Sequence, residues 1–292
     1  MEIFHFSHKD SIFPKVNGPL LLGNFDGLHL GHQTLIEKAK EEGDPFVLLL
    51  DPSFKKDDAH KVLTTLTDKI RLFARYGVSH IFVLRTGPSF FELSKDDFIS
   101  LVLKRLNPPA LVVGEDYSFG FKGEGTAFDL KRSFPTFALP LLEKDGKKIG
   151  TTLIKNLILE GKVSEAASFL GRPYEIKGKI QHGFQNGRKI NFPTANLLPN
   201  EYVLPRKAVY CGYAFLRGNC YKSIINVGDA PTVGKLKQNI VEAYLDGFEG
   251  DCYGETLYLN FVSFLREERK FEDLETLKEE LQINLKEMRK RL

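Results

Sequence analysis

The chain has 292 residues, 42% hydrophobic and 27% charged, enough apolar material for packed cores; wholesale disorder is excluded, and roughly 100–200 residues per domain gives two domains. Lys and Arg number 41 against 38 Asp and Glu, a net charge of +3 that is too nearly balanced to point to nucleic acid. Three scattered cysteines (Cys211, Cys220, Cys252) give neither a disulfide framework nor a CxxC zinc pair, Met1 to Phe6 lacks signal-peptide character, and no apolar run nears the roughly 20 residues of a membrane helix, so the expectation is a reduced, cytoplasmic protein without membrane or nucleic-acid partners, monomeric or weakly homo-oligomeric.

In chain order, Leu20-Leu21-Leu22, Phe46 to Leu50, Ile81 to Leu84 and Ala110 to Val113 are short continuous apolar runs, as expected of parallel strands buried on both faces. Helical patterns lie between them. Thr65 with Asp68 has capping-box spacing before a helix ending at Gly77, and Ser94 with Asp97 precedes a helix from Phe98 to Leu106, which stops before Pro108. Alternating strands and helices predict a Rossmann-like parallel sheet over the first part. Two helices follow, Thr151 to Glu160 and Ser164 to Leu170. After Gly171-Arg172-Pro173 the pattern turns β-rich: Tyr174 to Ile180, Val209 to Leu216, Tyr221 to Val227, Ile240 to Leu245 and Thr256 to Phe264, which predicts a small barrel. A last helix, Glu272 to Arg291, aligns Leu274, Leu277, Leu281 and Leu285 in one stripe, for the core or a domain contact.

The first constellation of chemical interest is Gly23-Asn24-Phe25-Asp26-Gly27-Leu28-His29-Leu30-Gly31-His32, between the first strong strand and a helix. Glycines let backbone approach a polyanion, and a helix N-terminus offers N–H groups with partial positive charge. His29 and His32, one turn apart around Gly31, can both donate to phosphate oxygens; two surface histidines on a capped helix are the plainer alternative. The second is Gly183-Phe184-Gln185-Asn186-Gly187-Arg188-Lys189-Ile190-Asn191-Phe192-Pro193-Thr194-Ala195-Asn196. Thr194 and Asn196 are two apart, so an extended backbone turns both to one face, and their oxygens are hard ligands suited to Mg²⁺. An ordinary turn with a polar pair would read the same way. Glu242, on an expected strand, is equally compatible with a solvent-facing position.

The first constellation resembles the HxGH signature of the nucleotidyltransferase superfamily, in the fuller form of prokaryotic FAD synthetases. Val113 to Gly120 with Gly123 and Gly125 is similar to that family's flavin- and ATP-lining loop, and Gly150-Thr151-Thr152-Leu153-Ile154-Lys155 to its Ser-Ser-Thr-x-Ile-Arg motif. The second constellation resembles the riboflavin kinase signature. Asn226 to Gly234, Val241 to Leu245 with Phe248 to Gly254, and Leu265 to Phe271 follow in family order. The resemblance spans about Gly23 to Asn284. It implies an α/β Rossmann-like nucleotidyltransferase domain over residues 1–170 and a small β-barrel riboflavin kinase domain with a C-terminal helix over 171–292. Riboflavin would become FMN in the second and FMN would become FAD in the first, each step using ATP with Mg²⁺.

By that resemblance, Gly23, Asn24, Phe25, Gly31, Thr151, Thr152, Lys155, Gly183, Lys189, Thr194 and Asn196 meet ATP or its phosphates, with Thr194 and Asn196 on the metal. His29 and His32 stabilise the adenylyl transfer, Asp116, Phe119 and Arg266 meet flavin, and Glu242 is the general base toward the riboflavin 5′-hydroxyl. The match departs at Ser53, where a phosphate-site histidine is expected, at Lys155, which keeps the charge of an arginine without its fork, and at Asn191, usually glycine. Ser53 and Lys155 motivate a rival, a kinase whose first domain adenylylates weakly or not at all. A flavin-sensing or RNA-binding regulator is a third reading, disfavoured by the presence of Thr194, Asn196 and Glu242.

Overall fold

The computed structural model describes residues 1–51, 61–182, 192–229, 239–269, 271 and 273–292. The chain forms two compact units, one of residues 1–60 and 64–151, the other of residues 61–63 and 152–292.

The first unit begins with β1 (Glu2–Phe6), β2 (Leu20–Leu22), α1 (Leu30–Glu42), β3 (Phe46–Asp51), α2 (Leu66–Arg75) and β4 (His80–Arg85). Next come α3 (Lys95–Phe98), a π-helical turn over Ile99–Leu103 and α4 (Lys104–Leu106), then β5 (Leu111–Gly114), β6 (Ser118–Phe119), β7 (Gly125–Thr126), α5 (Ala127–Lys131), β8 (Thr136–Leu139) and the short pair β9 (Glu143–Lys144) and β10 (Lys147–Lys148). The main sheet runs β1-β4-β3-β2-β5-β8 and is parallel throughout. Its central strands, β2 to β5, read as unbroken apolar runs because both faces are covered. Leu20, Leu22, Phe46, Leu48, Phe82 and Leu84 pack with Phe98, Val102 and Leu106 on one side. Leu21, Val47, Leu49, Ile81 and Val83 pack with Ile36, Ala39, Leu72 and Phe73 on the other.

The expected capping box is present: Asp68 N–H reaches the Thr65 hydroxyl, and the Asp68 carboxylate accepts from Thr65 N–H. Ser94 likewise caps α3 through Asp97 N–H. From β2 the chain steps to β3 and β4 on one side and later to β5 and β8 on the other, which makes the carboxyl end of β2 the topological switch point, where open α/β sheets bind ligands.

The second unit holds nearly all of α6 (Thr151–Leu159), α7 (Val163–Leu170), β11 (Tyr174–Lys179), β12 (Thr194–Leu197), β13 (Ala208–Leu216), β14 (Asn219–Asp229), β15 (Asn239–Leu245), β16 (Thr256–Glu267) and α8 (Leu274–Arg291). The antiparallel sheet runs β11-β16-β13-β14-β15-β12, and a bridge from Gln181 to Asn196 ties its two end strands, so the sheet curls on itself as a barrel does. Leu257, Leu259, Phe261, Tyr210, Ile225 and Ala243 fill the interior. On the outer face α8 lays Leu285 and Met288 against Val209, Cys211 and Ile224, with Leu277 and Leu281 alongside, so the stripe read from the sequence serves the core of its own unit. Lys61 to Leu63 belong here through Val62, which bridges Tyr202 and exchanges backbone hydrogen bonds with Glu201 and Val203.

Candidate functional sites

At the switch point the segment from Gly23 to His32 makes a turn that few sequences could hold. Phe25 (φ +52°) and Leu28 (φ +41°) are both in or near the left-handed region, a cost of about 1–3 kcal/mol each for residues with side chains. Burial offsets the strain. Both side chains are wholly enclosed, and the Phe25 ring meets Phe73 edge-on at 5.0 Å and His32 at 5.2 Å. Gly23 is needed because a Cβ there would lie 2.9 Å from the Phe25 ring. Asp26, 2% exposed, accepts from the Thr64 N–H at 2.9 Å and the Thr64 hydroxyl at 3.2 Å, while Gly27 N–H donates to that same hydroxyl. The Thr151 hydroxyl donates to the Asp26 carbonyl, and Lys69 Nζ donates to the Asn24 carbonyl and its side-chain oxygen. The turn is thus clamped from three directions.

Beyond it, His29 is the N-cap of α1 and its ring stacks on His32, with centroids 3.7 Å apart and planes 18° from parallel. A Cβ on Gly31 would come within 3.3 Å of His29 Nδ1, so the glycine makes room for the imidazole. Two imidazoles and the first turn of a 13-residue helix are thereby brought together at the end of β2. Such a cluster suits phosphate oxygens. Of the residues expected to meet flavin, Asp116 is exposed and pairs with Lys148 at 3.3 Å, whereas Phe119 is buried in the core between Phe98 and Tyr117. The Lys155 ammonium donates to the Lys61 carbonyl within the second unit, to which Thr152 also belongs. Ser53 lies outside the described residues.

In the second unit, strand register builds the site. Asn196 on β12 is opposite Glu242 on β15, and Glu242 is opposite Asn226 on β14. Opposed residues of antiparallel strands share a face, so the three side chains form one row; Thr194, two residues from Asn196, stands beside them opposite Tyr244. The row continues through Val209 to Arg266. Burial raises the Glu242 carboxyl from its ordinary value; the Asn226 side chain, hydrogen-bonded to it, pulls it back, and the Glu268 carboxylate pushes it up. Asn196 is 6% exposed and turns its amide N–H₂ to the Thr194 carbonyl at 3.3 Å. Its Oδ1 is buried with no hydrogen-bond partner among the described residues. A hard oxygen held unpartnered beside a carboxylate fits a divalent cation bound with ATP. Arg266 is engaged by α8, with Nε 2.8 Å from Glu280 and 3.3 Å from Asn284 Oδ1, and burial lowers its pKa. Gly183 and Lys189 lie outside the described residues. Sequence reading missed Asp26, Thr64 and Lys69 as a clamp and Asn226 as the neighbour of Glu242; alternation puts Asn226 on a face but cannot supply its partner across the sheet.

Comparison with known proteins shows a domain family for each part of the chain. A family model described as riboflavin kinase matches residues 170–292, and one described as FAD synthetase matches residues 17–153. Among curated proteins, the bifunctional riboflavin kinase/FMN adenylyltransferase of Listeria monocytogenes is 36% identical over 279 residues, 90% of this chain and 88% of that one. Those of Bacillus subtilis and Escherichia coli K12 are each 31% identical, covering 98% and 96% of this chain and 97% and 95% of theirs. A solved structure from Streptococcus pneumoniae, described as a macrolide-efflux protein, superposes with a TM-score of 0.86 at 28% identity over 98% of this chain and 99% of that one. No helix among the described residues is long and apolar enough to cross a membrane. With both domain models matched in order and relatives aligned over nearly their whole length, the chain belongs to the bifunctional riboflavin kinase/FMN adenylyltransferase family.

Proposed function

We propose that this riboflavin kinase and FMN adenylyltransferase phosphorylates riboflavin on the β12-β15-β14 row, with Glu242 as general base, and adenylylates FMN at the switch-point turn. The half-buried Glu242 carboxylate opposite Asn196, whose Oδ1 has no hydrogen-bond partner among the described residues, carries the first assignment. Thr194 and Asn196 would hold Mg²⁺, which supplies charge neutralisation on the ATP phosphates when bound. Glu242 takes the proton of the riboflavin 5′-hydroxyl as that oxygen bonds to the γ-phosphorus and the bond to ADP breaks. An alcohol gains from such a base. In the second reaction the FMN phosphate is already an anion; it attacks the α-phosphorus of ATP and pyrophosphate leaves. There His29, His32 and the α1 N-terminus position the phosphates and stabilise charge, with Gly23, Asn24, Phe25, Gly31 and Thr151 shaping the turn.

Residues 1–170 and 171–292 are taken as the two functional domains. The small molecules handled are riboflavin, FMN, FAD and ATP, and the scattered thiols agree with a cytoplasmic enzyme. One incubation tests the reading: protein, riboflavin, ATP and Mg²⁺, with flavins separated by chromatography over time. FMN and then FAD are expected. FMN without FAD would favour the kinase-only rival raised by Ser53 and Lys155, and no turnover of either flavin would overturn both assignments.

A further inference from the structure

In the turn that carries His29, Phe25 (φ +52°), Gly27 (φ +83°) and Leu28 (φ +41°) all have positive φ, and such a backbone keeps its shape only where its surroundings fix it. Thr64, 6% exposed, meets the turn at its middle. Its hydroxyl accepts from Gly27 N–H at 2.8 Å and donates to Asp26 Oδ1 at 3.2 Å, and its own N–H donates to that same oxygen at 2.9 Å. The next residue, Thr65, is the N-cap of α2 and closes a capping box with Asp68, so the hydroxyl is anchored at the end of a ten-residue helix. Two residues beyond Gly27, His29 opens α1 with its ring stacked on His32. We propose that Thr64 is a positioning residue for adenylyl transfer, its hydroxyl fixing the turn at Gly27 and, through the turn, the place of the His29 and His32 imidazoles. The inference rests on the switch-point turn being the adenylylation site.

The bonding separates this role from one in packing. The turn has other anchors: the enclosed Phe25 and Leu28 side chains, Lys69 on the Asn24 carbonyl, Thr151 on the Asp26 carbonyl, and Gln33 Nε2 donating to the Leu28 carbonyl at 3.0 Å. None of these holds the Gly27 N–H, which Thr64 does. Valine has the shape of threonine and keeps the backbone N–H bond to Asp26, but it can neither accept from Gly27 nor donate to the carboxylate. Its introduction therefore leaves the fold anchored and loosens the peptide that leads into His29. In-line transfer is sensitive to such a change, since a misplacement of about 1 Å can lower a rate about 10²-fold. The loss belongs in kcat, because the imidazoles act on charge that develops during the reaction.

The test is the kinetics of FMN-to-FAD conversion by the full chain, with FMN formation from riboflavin measured in the same preparations. Thr64→Val should lower kcat for FAD formation about 10–100-fold, with KM for FMN and ATP moving less than about threefold and FMN formation unchanged. Thr64→Ser, which keeps the hydroxyl, should stay within about threefold of the parent. In a His29→Ala background, Thr64→Val should lower the residual rate by less than about threefold, because a positioning residue loses its effect once the group it positions is gone. Thr64→Ala, also without the hydroxyl, takes the place of Thr64→Val if that variant loses the parent's circular dichroism spectrum. Four results overturn the proposal: parental kcat without the hydroxyl, Thr64→Ser as slow as Thr64→Val, the full loss repeated on His29→Ala, or failure of both hydroxyl-free variants to fold. His29→Ala alone separates the two layers. If it forms FAD at the parental rate, the site assignment fails and this inference falls with it; if it is impaired while Thr64→Val is not, only this inference fails.

Discussion

A carboxylate that accepts a proton during phosphoryl transfer needs a raised affinity for it, and burial beside Asn196 gives Glu242 that property. Glu242→Gln should lower FMN formation about 10²–10⁴-fold while leaving FMN-to-FAD conversion unchanged, read by chromatography with each flavin supplied separately. His29→Ala should do the reverse, lowering FAD formation about 10²–10³-fold without touching the kinase, because it removes one of two stacked imidazoles from the switch point. His29 was legible because it stands in a short contiguous motif whose residue types and spacing suit phosphates; Glu242 was legible only through the family resemblance, since its strand alone left a solvent-facing position equally open. The pairing of Asn226 with Glu242 was not legible, because it depends on which residue of the next strand lies opposite. Asp26 was in view as part of the motif, but its partner Thr64 is 38 residues away and nothing local announces it.

Strands and helices divide along a similar line. Central strands β2 to β5 are buried on both faces and therefore spell themselves as apolar runs. The edge strands β1 and β8 do not, since β1 is exposed along most of its length and β8 only half-buried, and the sequence pattern gave no strand there. The capping residues Thr65 and Ser94 announced their helices; the π-helical turn at Ile99–Leu103, inside the expected helix, has no such local mark. Helix α8 is held by two kinds of contact with separable tests. Met288 is fully buried against the sheet, so Met288→Ala should destabilise the second unit by about 2–5 kcal/mol in urea unfolding. Arg289 grips Asp246 with two hydrogen bonds of 2.8 Å and holds its carboxyl below the ordinary value. A depressed folded pKa means that the stabilisation is present above the unfolded value, about 3.9, and is lost as pH falls through the folded one. The urea midpoint of the parent should therefore drop on acidification through that window, and Asp246→Asn should start lower and drop less.

At the scale of the whole molecule, the switch from alternating to β-rich pattern was visible near Gly171, whereas compactness draws α6 and α7 into the second unit from Thr152 onward. The Ser164 hydroxyl donates to the Val262 carbonyl of β16, and the buried Val163, Ala166, Phe169 and Leu170 line α7. No local pattern could show that, because an amphipathic helix does not state which core it will join. Nor could it show that residues 61–63, embedded in the first half of the chain, pair with Tyr202 and Val203. A protein cut between 151 and 152 should yield a second fragment that unfolds at a lower temperature than the same unit in the intact chain, with scanning calorimetry as the check.

That three-residue insertion also bears on how such a gene could be rearranged. A single fission point would leave one product carrying a segment that belongs to the other's fold, so splitting the two activities onto separate genes requires either replacing the Val62 bridge or doing without it. Separation of the halves therefore carries a cost that lies wholly on the second product, which loses the strand partner of Tyr202.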